Sequence, residues 1–299
     1  MKNTAASVRA RLANLSRAEG VTLDFMIERF AIGRLLWRLS QSPDAHRFIL
    51  KGAQLFSIWL DNPHRPTRDI DFLGIGDPSE EAMREFFTAL CSMPADSEDG
   101  LIWGKPKAGP IREDQRYGGI RLLIPVSLAG AQVRLQVDIG FGDVITPAAE
   151  EHTWKELLGY PEARLLTYPP ETVIAEKLEA AVQLDIDNSR MKDFYDIDWL
   201  AGHKSFDHAT LRQAIERTFE RRQSDHPTEL PFALTQAFAN DPVKQTQWNA
   251  FLRKGKLEAP PFSKVIERIG NFLAPVILDR HTSNSKTWHP ASGWTEFSS

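Results

Sequence analysis

Apolar residues recur along the chain with two different periods, and the change of period divides it into elements. Leu23, Met26, Ile27, Phe30, Ala31, Leu35 and Leu36 fall at three- and four-residue spacing between Val21 and Leu39, the stripe of an amphipathic helix. Phe48 to Leu50 is a short apolar run that leads directly into Lys51-Gly52-Ala53. Gln54 to Leu60 reads as a short helix, ended by the turn-forming run Asp61-Asn62-Pro63. Thr67 to Gly74 reads as a strand, with Ile70 and Phe72 alternating against Asp69 and Asp71, and Ser79 to Leu90 reads as a helix. Two further strands are clearer. Tyr117 to Leu128 is rich in Ile, Leu and Val, and Ala131 to Ile139 alternates strictly. Val133, Leu135, Val137 and Ile139 share one face of that strand, and Arg134, Gln136 and Asp138 share the other. Ala129-Gly130 between the two strands predicts a hairpin turn.

The pattern changes near Leu165. Tyr168-Pro169-Pro170 ends extended structure, and Pro170 suits the first position of a helix from Glu171 to Leu184. From there to about Ala274 nearly every segment has a helical period. The expected fold class is α+β: a mixed, mostly antiparallel sheet flanked by helices, then a helical C-terminal domain. The expected boundaries are residues 1–165 for the first domain and 166–280 for the second. Residues 281–299, with Ser, Thr, Asn, Gly and scattered Trp, read as a loose tail.

Composition narrows the class of protein. Hydrophobic residues make up 42% and charged residues 25% of the 299, enough apolar content for a real core. No segment approaches the roughly 20 apolar residues that span a bilayer. The Ser/Ala/Arg-rich start, Met1 to Arg17, lacks the apolar centre of a secretory signal and reads as an amphipathic first helix, with a weak mitochondrial presequence as the alternative. Cys91 is the single cysteine, so neither an internal disulfide nor a cysteine-built zinc site is expected, which fits a reducing cytoplasm. The eight histidines lack metal-ligand spacing. A net charge of −4 argues against a chain coated in positive charge for nucleic acid, although a local basic groove remains open.

The sharpest local feature is Arg68-Asp69-Ile70-Asp71-Phe72. In a strand, residues two apart face the same way with Cα atoms roughly 6.5–7 Å apart, so Asp69 and Asp71 project side by side. Two adjacent carboxylates repel unless a cation lies between them, and a hard ion such as Mg²⁺ takes oxygen ligands while keeping room for water and phosphate. A solvated strand face carrying two acids is the alternative reading. Asp138, on the polar face of another strand, is either a third ligand for one or two Mg²⁺ ions or an ordinary polar-face residue. Gly52 permits a close backbone approach, and the N–H groups that follow at Ala53 suit phosphate; an ordinary tight turn is the other reading.

In sequence order, Lys51-Gly52-Ala53, Arg68-Asp69-Ile70-Asp71-Phe72 and Asp138 resemble the core of the DNA-polymerase-β-like nucleotidyltransferases. Glu176-Lys177-Leu178-Glu179-Ala180 and Ser189-Arg190-Met191-Lys192-Asp193-Phe194-Tyr195-Asp196-Ile197 are similar to motifs of the AbiEii/AbiGii nucleotidyltransferase toxins. The resemblance spans roughly Phe48 to Leu200. Ala53 departs from it, because the family more often has Ser or Gly there. The resemblance implies Mg²⁺ held by Asp69, Asp71 and Asp138, and a nucleoside triphosphate held by Lys51, Gly52, Ala53, Arg68, Lys177, Arg190 and Lys192. It also implies a catalytic or substrate-orienting Asp193. The residues alone leave Lys177 either snorkelling to solvent or set against an anion, since it shares a stripe with Val173, Ala180, Ala181 and Leu184. Asp196 and Tyr195 read as structural.

The resulting expectation is a cytoplasmic enzyme that moves a nucleoside monophosphate from a triphosphate onto an acceptor hydroxyl. The implied acceptor is RNA, the 3′ end of tRNA, and the implied partner is a cognate antitoxin. Nucleotidylation of a protein hydroxyl and a non-catalytic nucleotide- or RNA-binding module are the alternatives. Arg217, Arg221 and Arg222, and Arg253, Lys254 and Lys256, are basic patches that suit either solvent or an RNA backbone.

Overall fold

The computed structural model describes residues 4–60, 65–94, 98–111, 118–279 and 286–296; the expected turn at Asp61-Asn62-Pro63 and the expected strand start at Tyr117 lie outside them. The chain forms two compact units, Met1–Gly142 with Ala149–Tyr168, and Asp143–Ala148 with Pro169–Ser299.

The first unit contains helices α1 (Thr4–Ala18), α2 (Leu23–Ser40), α3 (Leu55–Trp59) and α4 (Glu80–Ser92). Its strands are β1 (Phe48–Lys51), β2 (Asp69–Gly74), β3 (Leu101–Trp103), β4 (Lys107–Pro110), β5 (Gly119–Leu128), β6 (Ala131–Phe141), β7 (Glu150–Trp154) and β8 (Ala163–Thr167). They make one mixed sheet in the order β3-β5-β6-β2-β1-β8-β7, with β4 also on β5. Two contacts in it are parallel, β2 with β6 and β1 with β8. Alternation explains the layers: Ile70, Phe72, Val137 and Ile139 are buried, while the intervening carboxylates turn to the opposite face. Thr22 caps α2 by accepting from the Phe25 N–H at 3.3 Å, and the helix is buried on nearly all sides from Met26 to Leu39. The expected single stripe is therefore wider than spacing suggests. The β5–β6 turn has positive φ at both Ala129 (46°) and Gly130 (84°), the two-residue geometry that matches strand twist.

The second unit contains α5 (Pro170–Leu184), α6 (Met191–His203), α7 (His208–Arg221), α8 (Gln236–Ala239), α9 (Pro242–Gly255) and α10 (Phe262–Leu278). A small sheet of β9 (Phe206–Asp207), β10 (Lys286–His289) and β11 (Gly293–Glu296) completes it. Part of the segment expected as a loose tail is thus a hairpin. Its tryptophans explain why: Trp288 and Trp294 lie with ring centroids 4.8 and 6.0 Å from Phe272, and Trp288 Nε1 donates to the Ala201 carbonyl at 2.7 Å.

Candidate active site

Each unit carries a cluster of charged side chains. In the first unit, strand register places Lys51 opposite Asp71, Asp71 opposite Asp138, and Asp138 opposite Arg121, one row across β1, β2, β6 and β5. Paired residues share a face, so the two carboxylates are neighbours with a cationic residue at either end of the row. One step along, Asp69 lies opposite Gln136, which brings the third acid to the same face. Arg121 donates from Nε and Nη2 to the two carboxylate oxygens of Asp138, both at 2.8 Å, and Gln136 Nε2 adds a bond to Oδ2 at 3.1 Å. A planar fork on a carboxylate is the strong form of this pair.

The turn before β2 closes on the same acids. Gly52 has φ +71°, and a Cβ there would overlap the Asp71 carboxylate, so the position requires glycine twice over. Gln54 Nε2 donates to the Asp69 carbonyl at 3.1 Å and ties this turn to β2. The helix that follows, α3, has five residues, too short to add much dipole, so any anion there would rely on local N–H groups. Ala53 is buried, and Lys51 Nζ lies 5.4 Å from the Tyr168 ring centroid.

Arg68, expected at phosphate, pairs with Glu28 of α2 through Nε at 3.1 Å. Burial raises the Glu28 carboxyl above its ordinary value; Arg68 opposes this, and Asp24 and Asp69 add to it. Arg68, Asp69, Glu28, Ser127, Arg134 and Gln136 are among the residues that line a cavity of about 1080 Å³ beside this row. The oxygen-only donor set of Asp69, Asp71 and Asp138, with the glycine held against Asp71, fits a hard divalent ion. Among the described residues, no three acidic, His or Cys side chains are already gathered as a metal shell.

In the second unit, Lys177 of α5 lies between two acids of α6. Its Nζ donates to Asp193 Oδ1 at 2.7 Å and lies 2.9 Å from Asp196 Oδ2. Arg190 Nε donates to Asp193 Oδ2 at 2.5 Å, and Lys192 is exposed. Burial alone would raise the Asp193 carboxyl, but the charges of Lys177 and Arg190 outweigh it and hold the group below its ordinary value. Lys177 is therefore neither a snorkelling side chain nor simply presented to solvent. Asp196, read from sequence as structural, is fully buried and shares its cation. Tyr195 packs on Trp248 and Phe251, as a structural residue does.

The basic patch on α7 differs from expectation. Arg222 is bound to Asp143, Glu176 and Glu179 at 3.4, 3.5 and 2.8 Å, and Arg217 Nη1 donates to Thr146 Oγ1 at 3.1 Å. These two side chains hold residues 143–148 to the helices. Arg253, Lys254 and Lys256, at the end of α9, are exposed.

Sequence reading missed Arg121, Gln136, Glu28 and Asp196 as partners. Arg121 was within reach: a two-residue turn at Ala129-Gly130 sets Leu128 opposite Ala131, and counting back sets Arg121 opposite Asp138. The parallel β2–β6 pairing that joins Asp71 to Asp138 carries no comparable local signal.

Among solved structures, JHP933 from Helicobacter pylori is 14% identical with a TM-score of 0.46, over 81% of this chain and 87% of that chain. A second H. pylori chain, described as a candidate nucleotidyltransferase, is 15% identical with a TM-score of 0.45, over 81% and 90%. No match is found among curated proteins. The profile of the family described as "Nucleotidyl transferase AbiEii toxin, Type IV TA system" matches residues 34–268, from before Lys51 to beyond Asp196, and the chain belongs to this AbiEii toxin family.

Proposed function

We propose that the chain is a Mg²⁺-dependent nucleotidyltransferase that moves a nucleoside monophosphate from a nucleoside triphosphate onto a hydroxyl of RNA, at the 3′ end of tRNA. The observation that carries the reading is the register of Asp71 against Asp138 with Asp69 one step along, three carboxylates on one sheet face within a nucleotidyltransferase family. Asp69, Asp71 and Asp138 would hold the cation, which when bound would offset charge on the triphosphate and on the attacking oxygen. Lys51, Arg68 and the N–H groups of Gly52 and Ala53 bind phosphate oxygens. Asp138 takes the proton of the acceptor hydroxyl. The hydroxyl oxygen forms a bond to the α-phosphorus in line, and the bond from that phosphorus to the bridging oxygen breaks, so pyrophosphate leaves. In the second unit, Arg190 and Lys192 are assigned to anionic groups of the substrates, while Lys177, held between Asp193 and Asp196, fixes Asp193 and through it Arg190. Positioning and charge compensation account for such catalysis without a covalent enzyme intermediate.

The cavity beside Asp69, with its amide, hydroxyl and arginine lining, is the seat assigned to the acceptor. As a member of a toxin family of toxin–antitoxin systems, the protein is also assigned a cognate antitoxin and a cytoplasmic site of action. The test is incubation with each α-labelled triphosphate, Mg²⁺, total RNA and total protein. Label on RNA, lost with chelator, supports the proposal; label on polypeptide alone moves the acceptor to protein; no label with any triphosphate removes the transferase reading.

A further inference from the structure

We infer that Arg121 is a positioning residue for the metal site: it holds Asp138 and competes with the divalent cation for it, so the cation is bound tightly only together with the triphosphate. The inference rests on the carboxylate reading above. A carboxylate offers about four lone-pair directions, and three on Asp138 are taken, two by the Arg121 fork and one by Gln136. A cation reaching Asp138 must use the remaining direction beside a guanidinium, or displace it. The Asp138 and Arg121 side chains are 16% and 31% exposed, so solvent only partly screens that repulsion. A unit charge about 6 Å from a divalent ion opposes its binding by about tenfold even in water-like surroundings. Triphosphate oxygens change the balance. They bring negative charge to the row, supply the remaining ligands of the cation, and offer the displaced guanidinium another pair of acceptor oxygens. The strand register makes this arrangement specific, because Arg121 and Asp71 flank Asp138 from opposite sides in the same row.

Direct titration of the full chain with Mn²⁺, followed by the electron-spin-resonance signal of free ion, tests this without any turnover. Without nucleotide, Arg121→Gln is expected to bind Mn²⁺ about tenfold more tightly than the parent chain. With a non-reactive α,β-methylene triphosphate present, the two should converge to within about threefold. Equal or weaker binding by Arg121→Gln without nucleotide would overturn the inference, provided Asp71→Asn weakens binding. If Asp71→Asn and Asp138→Asn both leave Mn²⁺ binding unchanged, the carboxylate site itself is wrong. A measurement on the parent chain guards against a variant that fails to fold. The Arg121 Nε chemical shift should stay at its metal-free position with Mg²⁺ alone and move when Mg²⁺ and the triphosphate analogue are added together, as the guanidinium changes its acceptor from Asp138 to phosphate. A shift that does not move with both present would overturn the inference independently.

Discussion

Lys177 Nζ lies 2.7 Å from Asp193 Oδ1 and 2.9 Å from Asp196 Oδ2, one cation from α5 shared by two acids from α6 that are almost wholly buried. The acids are three residues apart on α6, hence on one helix face, and the lysine of the neighbouring helix meets both. Deleting such a cation leaves two carboxylates in a poorly hydrated place, which is the expensive half of a buried pair. Lys177→Met fills similar volume in its stripe, so spacing alone makes it a mild change; the structure makes it a severe one. It should lower stability by roughly 3 kcal/mol near neutral pH, with part of the loss recovered in acid as one carboxyl takes up a proton. Thermal melts of the parent and the variant between pH 5 and 8 check this. A Met variant as stable as the parent throughout would mean that the network contributes nothing.

Asp69→Asn and Asp71→Asn should each abolish metal-dependent transfer with little change in melting temperature, because the amide keeps the shape and removes a ligand charge. Asp138→Asn should abolish transfer as well, but it also strands the Arg121 guanidinium and should lower stability by about 1–2 kcal/mol. Labelled transfer beside calorimetry separates the three. Near-normal transfer by any of them would remove that residue from the site.

Two buried carboxyls predict opposite pH trends. Glu156 faces Gly33, where a Cβ would overlap its carboxyl, and burial pushes its pKa from 4.5 up to about 8. Its folded value lies above its unfolded one, so its contribution is complete below about 4.5 and is lost as the pH rises through about 8. Asp193 is held below its ordinary value of 3.8, so its contribution is present above that pH and lost as the pH falls through the lower folded value. Glu156→Gln should flatten the fall in stability between about pH 4.5 and 8 and raise the melting temperature above pH 8. A variant that melts in parallel with the parent across that range would show that Glu156 does not titrate there.

How far the sequence reached depends on the range of each interaction. Alternation on β6 and the turn at Ala129-Gly130 are local, and they gave both the strand face of Asp138 and the hairpin. Asp69 and Asp71 share a face by pleat alone. Strands such as β3, β4 and β7 were missed because they are short and are held by pairing with distant partners rather than by their own periodicity. Asp196 was read as structural, but its partner was not legible, because Lys177 comes from another helix and the pairing is set by tertiary packing. The hairpin of β10 and β11 was hidden because its stability lies in tryptophans packed on α10, which polar flanking residues disguise as a loose tail.

Arginines that hold the fold differ from those available to RNA in what already binds them. Arg222 is 20% exposed and bound to three acids, whose charges raise its pKa further against the lowering effect of burial. A phosphate would have to compete with carboxylates already in place, so Arg222 contributes little to RNA affinity. Arg222→Met should instead destabilise the second unit by about 3 kcal/mol, because Asp143, Glu176 and Glu179 lose their shared cation. Arg253 and Lys254 are exposed in the last turn of α9, where a phosphate can reach them without displacing a buried partner. Replacing both with Ser should leave the melting temperature within about a degree, since exposed charges contribute little to stability. It should also weaken binding of a single-stranded RNA end. If both contact phosphate, the slope of log affinity against log salt should fall by about 0.7 for each contact removed. Filter binding at four salt concentrations, with melts of the same samples, measures both effects together. An unchanged slope in the Arg253/Lys254 variant, with a reduced slope in a still-folded Arg222→Met protein, would reverse the assignment and return the RNA surface to α7.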